Sequence, residues 1–476
     1  MTELKKTLGG IQYFSLGFGA IVGVGWIVYL GLWFDQAGPV GTMVAFVLGG
    51  LLMAIIGLCY AELATMYEVA GAEAAYGYAA FGPGVSFAVG WAMVLMLVAV
   101  IPYVSVSLGW ILVVLVPGIG GPTLYSWRGQ PIRAGSLAVA VGWTLWLGVL
   151  NYRGIRPATR FQDWLTYGKI AISVLFFAAG IFGGSTANLA PAFGRGASGL
   201  NLNGLLAVLA TTPWFLAGFN QVPQSLEEKA PGLQSRTVGL LVVLAIVSGG
   251  VYYGLAAISA GMAGPWTEIS GQELPAAAAF RAAFGSELFA RLVLVAGLFG
   301  IVTVGNACTI AVTRLLFSLG RSRAIAPAFT RLHPRFRSPV TAIVFAVAFG
   351  VIGNFLGRAG IAPIVNVGSA AACLGYLVAA LAVIRLRQIA PDRHRGYRVP
   401  GGVVTAWVAA LGGAFLLVSS LRQHWLDAKG GIPLEWIVIA VWAALGAVLY
   451  RQSAPARAEL GPERLRKLML EGEAAS

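Results

Sequence analysis

The chain has 476 residues, 58% of them hydrophobic and only 11% charged, where an ordinary soluble domain carries about 25% charged residues. A soluble fold must cover a large exterior with polar groups, so this composition points to a lipid bilayer as solvent and excludes an ordinary soluble enzyme or binding module. The formal charge of +14 does not point to nucleic acid, because the Lys and Arg residues lie between apolar runs and form no single basic patch.

The N-terminus, Met1–Gly10, is short and polar, and the apolar run after it is too long for a signal-peptide core, so no cleaved signal is expected. A spanning helix needs roughly 20 apolar residues, and about twelve runs are candidates. In chain order they are Ile11–Phe34, Gly41–Met66, Val85–Val116, Ser136–Asn151, Phe161–Phe182, Leu205–Gln224, Val238–Met262, Leu288–Leu319, Val340–Leu356, Ile364–Ile384, Val404–Leu421 and Leu434–Tyr450. The fourth and ninth are short. The more polar segment Gly264–Glu287 reads as a helical cap on the outer face. The charged, Ala-rich tail after Tyr450 reads as a short surface helix around Pro462–Leu470. The fold expected is an all-α integral membrane protein. It has a short N-terminal segment (1–10), a core of ten helices (11–385), two further helices (386–450) and a tail (451–476).

Orientation follows from the Lys and Arg residues on alternate sides. With the N-terminus inside, 23 fall in cytoplasmic segments and 8 in outer ones, and Lys169 lies within a span. The inner set runs from Lys5 and Lys6 through Arg153, Arg156 and Arg160 to the tail. The outer set is Arg128, Arg133, Arg195, Arg281, Arg291, Arg358, Arg422 and Lys429. The bias places both termini in the cytoplasm.

Two spans are interrupted. The first carries Gly19-Ala20-Ile21-Val22-Gly23-Val24-Gly25 near mid-membrane. The sixth runs Trp214-Phe215-Leu216-Ala217-Gly218-Phe219-Asn220-Gln221-Val222-Pro223. Glycine weakens a helix by about 1 kcal/mol and proline by about 3. Freed backbone groups in hydrocarbon cost several kcal/mol each unless something satisfies them. The glycines of the first span alone would also serve close helix packing. The two breaks are five spans apart, the spacing of two five-helix halves in an inverted repeat with a broken helix leading each. Such breaks offer amide N–H groups to a carboxylate and carbonyls to an ammonium group, which together suit a zwitterion.

Lys169, in the fifth span, is the clearest intramembrane charge, and such residues default to functional readings. A lysine snorkelling to the interface is the bland alternative. Tyr103, Thr212, Thr303, Asn306 and Asn366 lie at pocket depth but equally suit helix–helix hydrogen bonds. Glu62 ends the second span and reads as facing the cytoplasmic gate. Glu227 and Glu228 read as gate partners for inner Arg residues. Cys59, Cys308 and Cys373 fall inside apolar runs at spacings that fit neither metal nor disulfide, and read as buried small residues. His333, His394 and His424 fall in loops far apart, so neither a metal site nor a cofactor is expected.

Together these segments resemble the amino acid–polyamine–organocation superfamily of permeases, which has the LeuT-type fold. The resemblance rests on order and spacing over roughly the first 400 residues. Gly19-Ala20-Ile21-Val22-Gly23-Val24-Gly25-Trp26-Ile27 is similar to the family pattern G-A-I-I-G-[ST]-G-I-F. Tyr60-Ala61-Glu62-Leu63-Ala64 and Ala70-Gly71-Ala72-Glu73-Ala74-Ala75-Tyr76-Gly77-Tyr78 resemble the exit of its second helix. Gly218-Phe219, with Glu227-Glu228, resembles its sixth helix. Arg314-Leu315-Leu316-Phe317-Ser318-Leu319-Gly320-Arg321, then Pro327, His333-Pro334 and Ser338-Pro339-Val340, resembles the link from its eighth to its ninth helix.

The resemblance implies a substrate carboxylate on the amides of Val24 and Gly25, and an amino group near the carbonyls of Ile21, Trp214, Phe215 and Ala217. It implies that Trp214 covers the substrate. It also implies that the Lys169 ammonium takes the place of a sodium ion, tying the fifth helix to carbonyls of the first. Three residues depart from the pattern: Val24 stands for a Ser or Thr, Asn220 for a Glu or Asp, and Trp26 for a smaller apolar residue. The loss of a carboxylate argues against a strongly cationic substrate.

The function expected is sodium-independent secondary transport of a small amino acid, by proton coupling or exchange, in a cell membrane. Helices one, two, six and seven would rock as a bundle against the rest. An amine, ethanolamine or polyamine permease is the alternative substrate reading. A non-transporting sensor with a transporter fold is the alternative of another class. A membrane enzyme lacks convergent acids, bases or ligands in the spans, and a channel would show rings of polar residues. The partners expected are a small-molecule substrate and membrane lipid, with no nucleic acid.

Overall fold

The computed structural model describes residues 8–69, 71–153, 159–195, 199–226, 229–428 and 430–471, with backbone alone for 159–163. Lys5, Lys6, Ala70, Arg156, Glu227, Glu228 and Lys429, and the side chains of Arg160 and of 161–163, therefore lie outside the described residues. Among those described, eleven helices are long and apolar enough to cross a membrane, and Val340–Asn354 is a shorter twelfth.

The first span winds from Gly10 to Ile21, breaks over 22–24, and resumes at Gly25–Val28. It continues into the helix Leu30–Met66, in which Gly38, at φ 68°, breaks the helical path before Pro39. That position needs a left-handed backbone, which glycine adopts at least cost. The helix past it is the second span. The third is Pro83–Leu115, the fourth Ala134–Tyr152 and the fifth Thr159–Gly183. The sixth is made of short pieces, Leu202–Leu209, Thr212–Phe215, Ala217–Asn220 and Gln221–Gln224. The seventh, Ser235–Ala263, the eighth, Glu287–Arg321, and the tenth, Ile361–Ile389, are long and continuous. Gly402–Asp427 and Leu434–Gln452 complete the set.

The packing has the symmetry expected of two related halves. The first span packs on the seventh as the sixth packs on the second. The fifth packs on the eighth as the tenth packs on the third. Exchanging the two groups of five spans maps each contact onto its mate, which is the relation an inverted repeat produces. In the 18-residue apolar stretch of each span, 78% of residues are buried in the first, third, sixth and tenth, against 22% in the fourth and 17% in the twelfth. The broken spans are therefore central and the polar backbone they expose is kept from lipid.

Three features refine the sequence reading. The fold is not wholly α-helical: β1 (Thr123–Trp127) and β2 (Gln130–Arg133) form an antiparallel hairpin between the third and fourth spans. Its two-residue turn places Arg128 at φ 49° and Gly129 at φ 76°, the left-handed pair that tight hairpins require. His424 lies in the last turn of the eleventh span, buried, and not in a loop. The tail helix Ala454–Leu470 breaks at Gly461, and the piece after it buries Leu465, Leu468, Met469 and Leu470. It packs against the short helix Ala72–Phe81 that links the second and third spans. The segment after the seventh span is helical at Trp266–Ile269 and Pro275–Phe284.

Glu62 is fully buried and ties the second span to the far end of the tenth. Arg387 Nη2 donates to its Oε2 at 2.6 Å, Arg395 Nε to its Oε1 at 3.2 Å, and the Val399 amide to its Oε2 at 2.7 Å. It clamps these two elements together and is not among the residues that line the pocket described below.

Candidate functional site

The breaks of the first and sixth spans meet. Gly218 lies against the Ala20–Ile21 peptide so closely that a Cβ there would stand 2.3 Å from the Ile21 nitrogen. Gly300 of the eighth span backs on Gly23 in the same way, where a Cβ would stand 2.8 Å from its carbonyl carbon. Small residues at these points let the bare backbone of the breaks be enclosed by protein.

Two side chains occupy the freed carbonyls of the first span. The Lys169 Nζ donates to Gly19 O at 3.0 Å, to Val22 O, and to Thr303 Oγ1 at 3.3 Å. Lys169 is fully buried, so it does not snorkel to an interface. Tyr253 of the seventh span donates its hydroxyl to Ile21 O at 2.9 Å. On the other side of the break, the amides from Val24 onward open a new helix, whose first N–H groups have no partner within the helix. Among the described residues, no backbone carbonyl accepts from Val24 N.

A pocket lies at this junction. Its walls include Gly23, Val24 and Gly25 of the first break, and Ala217 and Gly218 of the sixth span. Apolar side chains of Met96, Leu97 and Val100 from the third span and Val304 and Cys308 from the eighth complete one side. Polar groups are few: Tyr103, Tyr253, Asn220, Gln221 and the indole of Trp214. Among the described residues, no carboxylate lines it, and both Asn220 side-chain atoms and the Tyr103 hydroxyl are buried without a hydrogen-bond partner.

Aromatic rings close the pocket at both ends. Toward the face that carries the first-to-second-span turn, Trp214 meets Tyr103 edge-on at 5.6 Å. Phe215 packs with Trp33 at 4.8 Å and Tyr29 at 5.3 Å. Trp214 lies on Gly368 of the tenth span, where any Cβ would fall within the indole ring. Toward the N-terminal face, Phe219 contacts Tyr60 at 5.1 Å and Tyr376 at 5.6 Å.

Of the residues singled out from sequence, Ile21, Val24, Gly25, Tyr103, Trp214, Phe215, Ala217 and Asn220 line this pocket, and Lys169 stands directly behind its backbone wall. Trp26 and Asn306 do not line it. Trp26 packs on Phe176 at 5.0 Å and Tyr252 at 6.1 Å, on the opposite side of the resumed helix. Asn306 accepts from Asn151 Nδ2 at 3.5 Å. Val304 and Cys308, four residues apart, hold the pocket face of the eighth span, and Asn306 is about 200° around the helix from each. Asn366 turns to Glu435 at 3.4 Å and Thr212 to its own helix at Leu209 O. The missed residues are Tyr253, Met96, Leu97, Val100, Val304 and Cys308. Only Tyr253 carried a signal, a hydroxyl deep in an apolar run.

The three cysteines are free and buried. No group of three or more His, Cys, Asp or Glu converges on a metal-sized site among the described residues.

A pocket between two broken helices is the arrangement that membrane transporters with inverted repeats use. Residues 8–442 match the model of a family described as amino acid permease. The chain belongs to that family. Among its relatives is a methylthioribose transporter of Bacillus subtilis (strain 168), 28% identical over 94% of this chain and 93% of that protein. A branched-chain amino acid permease of the same organism is 25% identical over 94% of this chain and 93% of its own length. A glutamate/serine transporter of that organism is 25% identical over 89% and 78% respectively. The chain is thus a multi-pass membrane permease of the amino acid–polyamine–organocation superfamily that moves a small molecule and is not an enzyme.

Proposed function

We propose that this permease is a sodium-independent secondary transporter, in a plasma membrane with both termini cytoplasmic, of a small amino acid whose side chain is aliphatic. The observation that carries the reading is the pocket itself. Peptide groups of the two breaks face a chamber whose other walls are mostly hydrocarbon. A zwitterion fits such groups: its carboxylate takes the N–H groups from Val24 onward and its ammonium the carbonyls of the sixth-span break. The apolar wall from the third and eighth spans then receives the side chain, where each buried methylene adds about 0.8 kcal/mol. The branched-chain amino acid permease among the relatives supports the same class.

A polyamine or other strongly cationic amine fits poorly, because no carboxylate lines the chamber to pair with it. The competing class is a neutral sugar thioether, favoured by the unpartnered Asn220 amide and by the methylthioribose transporter among the relatives.

Sodium independence rests on Lys169. Its ammonium already occupies the carbonyls of Gly19 and Val22, the oxygens a coupling cation would need. Transport follows by alternating access, the aromatic closures on the two sides opening in turn. The test is a thermal-shift screen of purified protein against the common amino acids, simple amines and methylthioribose, followed by uptake of any hit into proteoliposomes. Stabilisation by leucine, isoleucine or valine, with uptake unchanged when choline replaces sodium, is expected. A response to methylthioribose alone would move the substrate to the second class. Sodium-stimulated uptake would overturn the role given to Lys169, and binding without uptake by any substrate would favour a sensor.

A further inference from the structure

Beneath the pocket floor, on the N-terminal side, lies a group that substrate binding leaves unused. Glu73 stands on the helix Ala72–Phe81 between the second and third spans, yet only 1% of it is exposed. Its Oε1 accepts from the Tyr60 hydroxyl at 3.2 Å and its Oε2 has no hydrogen-bond partner among the described residues. Tyr60 and Tyr376 are two of the three rings that close the pocket on this side. Tyr376 lies against Asn220, which lines the pocket, and Gln224 lies against Glu73. Asn220, Tyr376, Tyr60 and Glu73 thus stand in file from the pocket floor to this carboxyl; of these only Tyr60 and Glu73 are hydrogen-bonded to each other, and the Tyr376 hydroxyl donates to Pro213 O at 3.4 Å.

We propose that Glu73 is a proton-carrying group of this closure, protonated while the closure is shut and ionised when it opens to the N-terminal face. The proton bound to the carboxyl passes to water on that face as the rings part. It is replaced from the pocket side when water admitted to the pocket reaches the Tyr60 hydroxyl, which is hydrogen-bonded to the carboxyl. The inference rests on the transport reading given above and adds to it the group that couples transport to pH.

The chemistry around Glu73 supports this. The groups that face it are the phenols of Tyr60, Tyr376 and Tyr76 and the Gln224 amide. The third span, packed along its helix, carries no charged residue. Of the charges on the other flanking elements, Glu62 is held by Arg387 and Arg395, and Arg466 of the tail helix acts on Tyr67 and Tyr78. Glu463, Arg464 and Lys467 share that tail helix, and Arg314 and Arg321 lie on the eighth span. None of these acts on Glu73 strongly enough to offset burial, which pushes its carboxyl from the usual 4.5 to about 7, against the opposing pull of the Tyr60 hydrogen bond. A hydrated carboxyl in the open state returns to its ordinary range. The shut state is therefore fully supported below about pH 4.5 and loses that support as pH rises through about 7.

Two measurements test the proposal. The first needs no substrate: hydrogen exchange over residues 72–81 and 219–226 in detergent, corrected for the intrinsic chemical rate. It should rise about tenfold between pH 5.5 and 8 in the native chain and stay flat in Glu73→Gln. The second is uptake of radiolabelled L-leucine into proteoliposomes with and without an inward proton gradient. The gradient should raise uptake in the native protein and not in Glu73→Gln. Equal pH dependence of exchange in both proteins, or gradient-driven uptake that survives the substitution, overturns the proposal. Should Glu73→Gln misfold, Glu73→Ala must meet the same two criteria. If the native protein takes up no leucine at all, the substrate reading fails, while the exchange measurement still decides the role of Glu73.

Discussion

Gly25 shows how much of the permease's function hangs on single atoms. A methyl group there would stand 2.4 Å from Phe215 Cε1 and 3.3 Å from the Tyr103 hydroxyl. Phe215 cannot retreat, because Trp33, Tyr29, Phe46 and Tyr253 surround it with ring centroids between 4.8 and 6.2 Å. Overpacking of this kind costs typically 1–3 kcal/mol, and here it also fills the space beside the helix-opening amides. Gly25→Ala should therefore lower the melting temperature and abolish ligand-induced stabilisation, read by thermal shift with and without saturating substrate. Lys169 poses the opposite case, since removing it empties a place. Lys169→Ala leaves the Val22 carbonyl without its donor and the Gly19 carbonyl with the Thr303 hydroxyl alone, a loss of about 1–3 kcal/mol for each buried group left unsatisfied. Uptake into proteoliposomes should fall to background, while gel filtration still shows a folded protein. At this scale the sequence was readable where chemistry is rare. A lysine and a Gly-Val-Gly triplet stand out from hydrocarbon, and both lie at the pocket. Trp26 and Asn306 stand out equally and face elsewhere: packing and not local composition sets the rotational phase of Trp26 after the break, and Asn306 sits on the face of the continuous eighth span turned from Val304 and Cys308.

Elements were the most legible level, since a bilayer demands long apolar runs and a chain cannot disguise them. The third span, expected over Val85–Val116, is Pro83–Leu115, and the seventh, expected over Val238–Met262, is Ser235–Ala263. The hairpin Thr123–Arg133 was illegible because its residues are mostly exposed, so no buried face imposes an alternating pattern. What joins the elements was only half visible. Glu62 was readable as a residue at the inner end of the second span, but its partners lie more than three hundred residues on, at Arg387 and Arg395. Glu62 and Arg395 are both nearly inaccessible, so removing one charge strands the others in low dielectric. Breaking a buried ion pair costs about 3–5 kcal/mol, against about 1 kcal/mol or less for an exposed one. Glu62→Gln should thus lower the melting temperature clearly. Glu68→Gln, which loosens the half-exposed pair with Lys229, should change it little. Equal shifts for the two would show that the clamp is an ornament of the fold.

The whole molecule is two sets of helices around one pocket, and its motion can be argued from where the sets touch. The first, second, sixth and seventh spans join through close backbone contacts. One is Gly50 against Gly250, where a Cβ on either stands 3.2 Å from the other's Cα. The fifth span belongs to the other set, and its Gly180 approaches Ser259 of the seventh so closely that a Cβ would stand 2.9 Å from the Ser259 Cα. If the first set rocks as a body against the second, the Gly50–Gly250 distance is constant through the cycle and the Gly180–Ser259 distance is not. Both pairs are close enough for a disulfide, which needs Cα atoms within about 7 Å. With Cys59, Cys308 and Cys373 replaced by alanine, the pair Gly50→Cys and Gly250→Cys should transport equally well oxidised or reduced. The pair Gly180→Cys and Ser259→Cys should stop when oxidised and recover with reductant. Each protein in its reduced form is its own control for any harm the substitutions do to packing. Inhibition by both cross-links would mean that the second and seventh spans slide past each other, and that the pocket opens by bending of single helices. Inhibition by neither would mean that the fifth span moves with the seventh, and the boundary between the two bodies would then have to be drawn elsewhere.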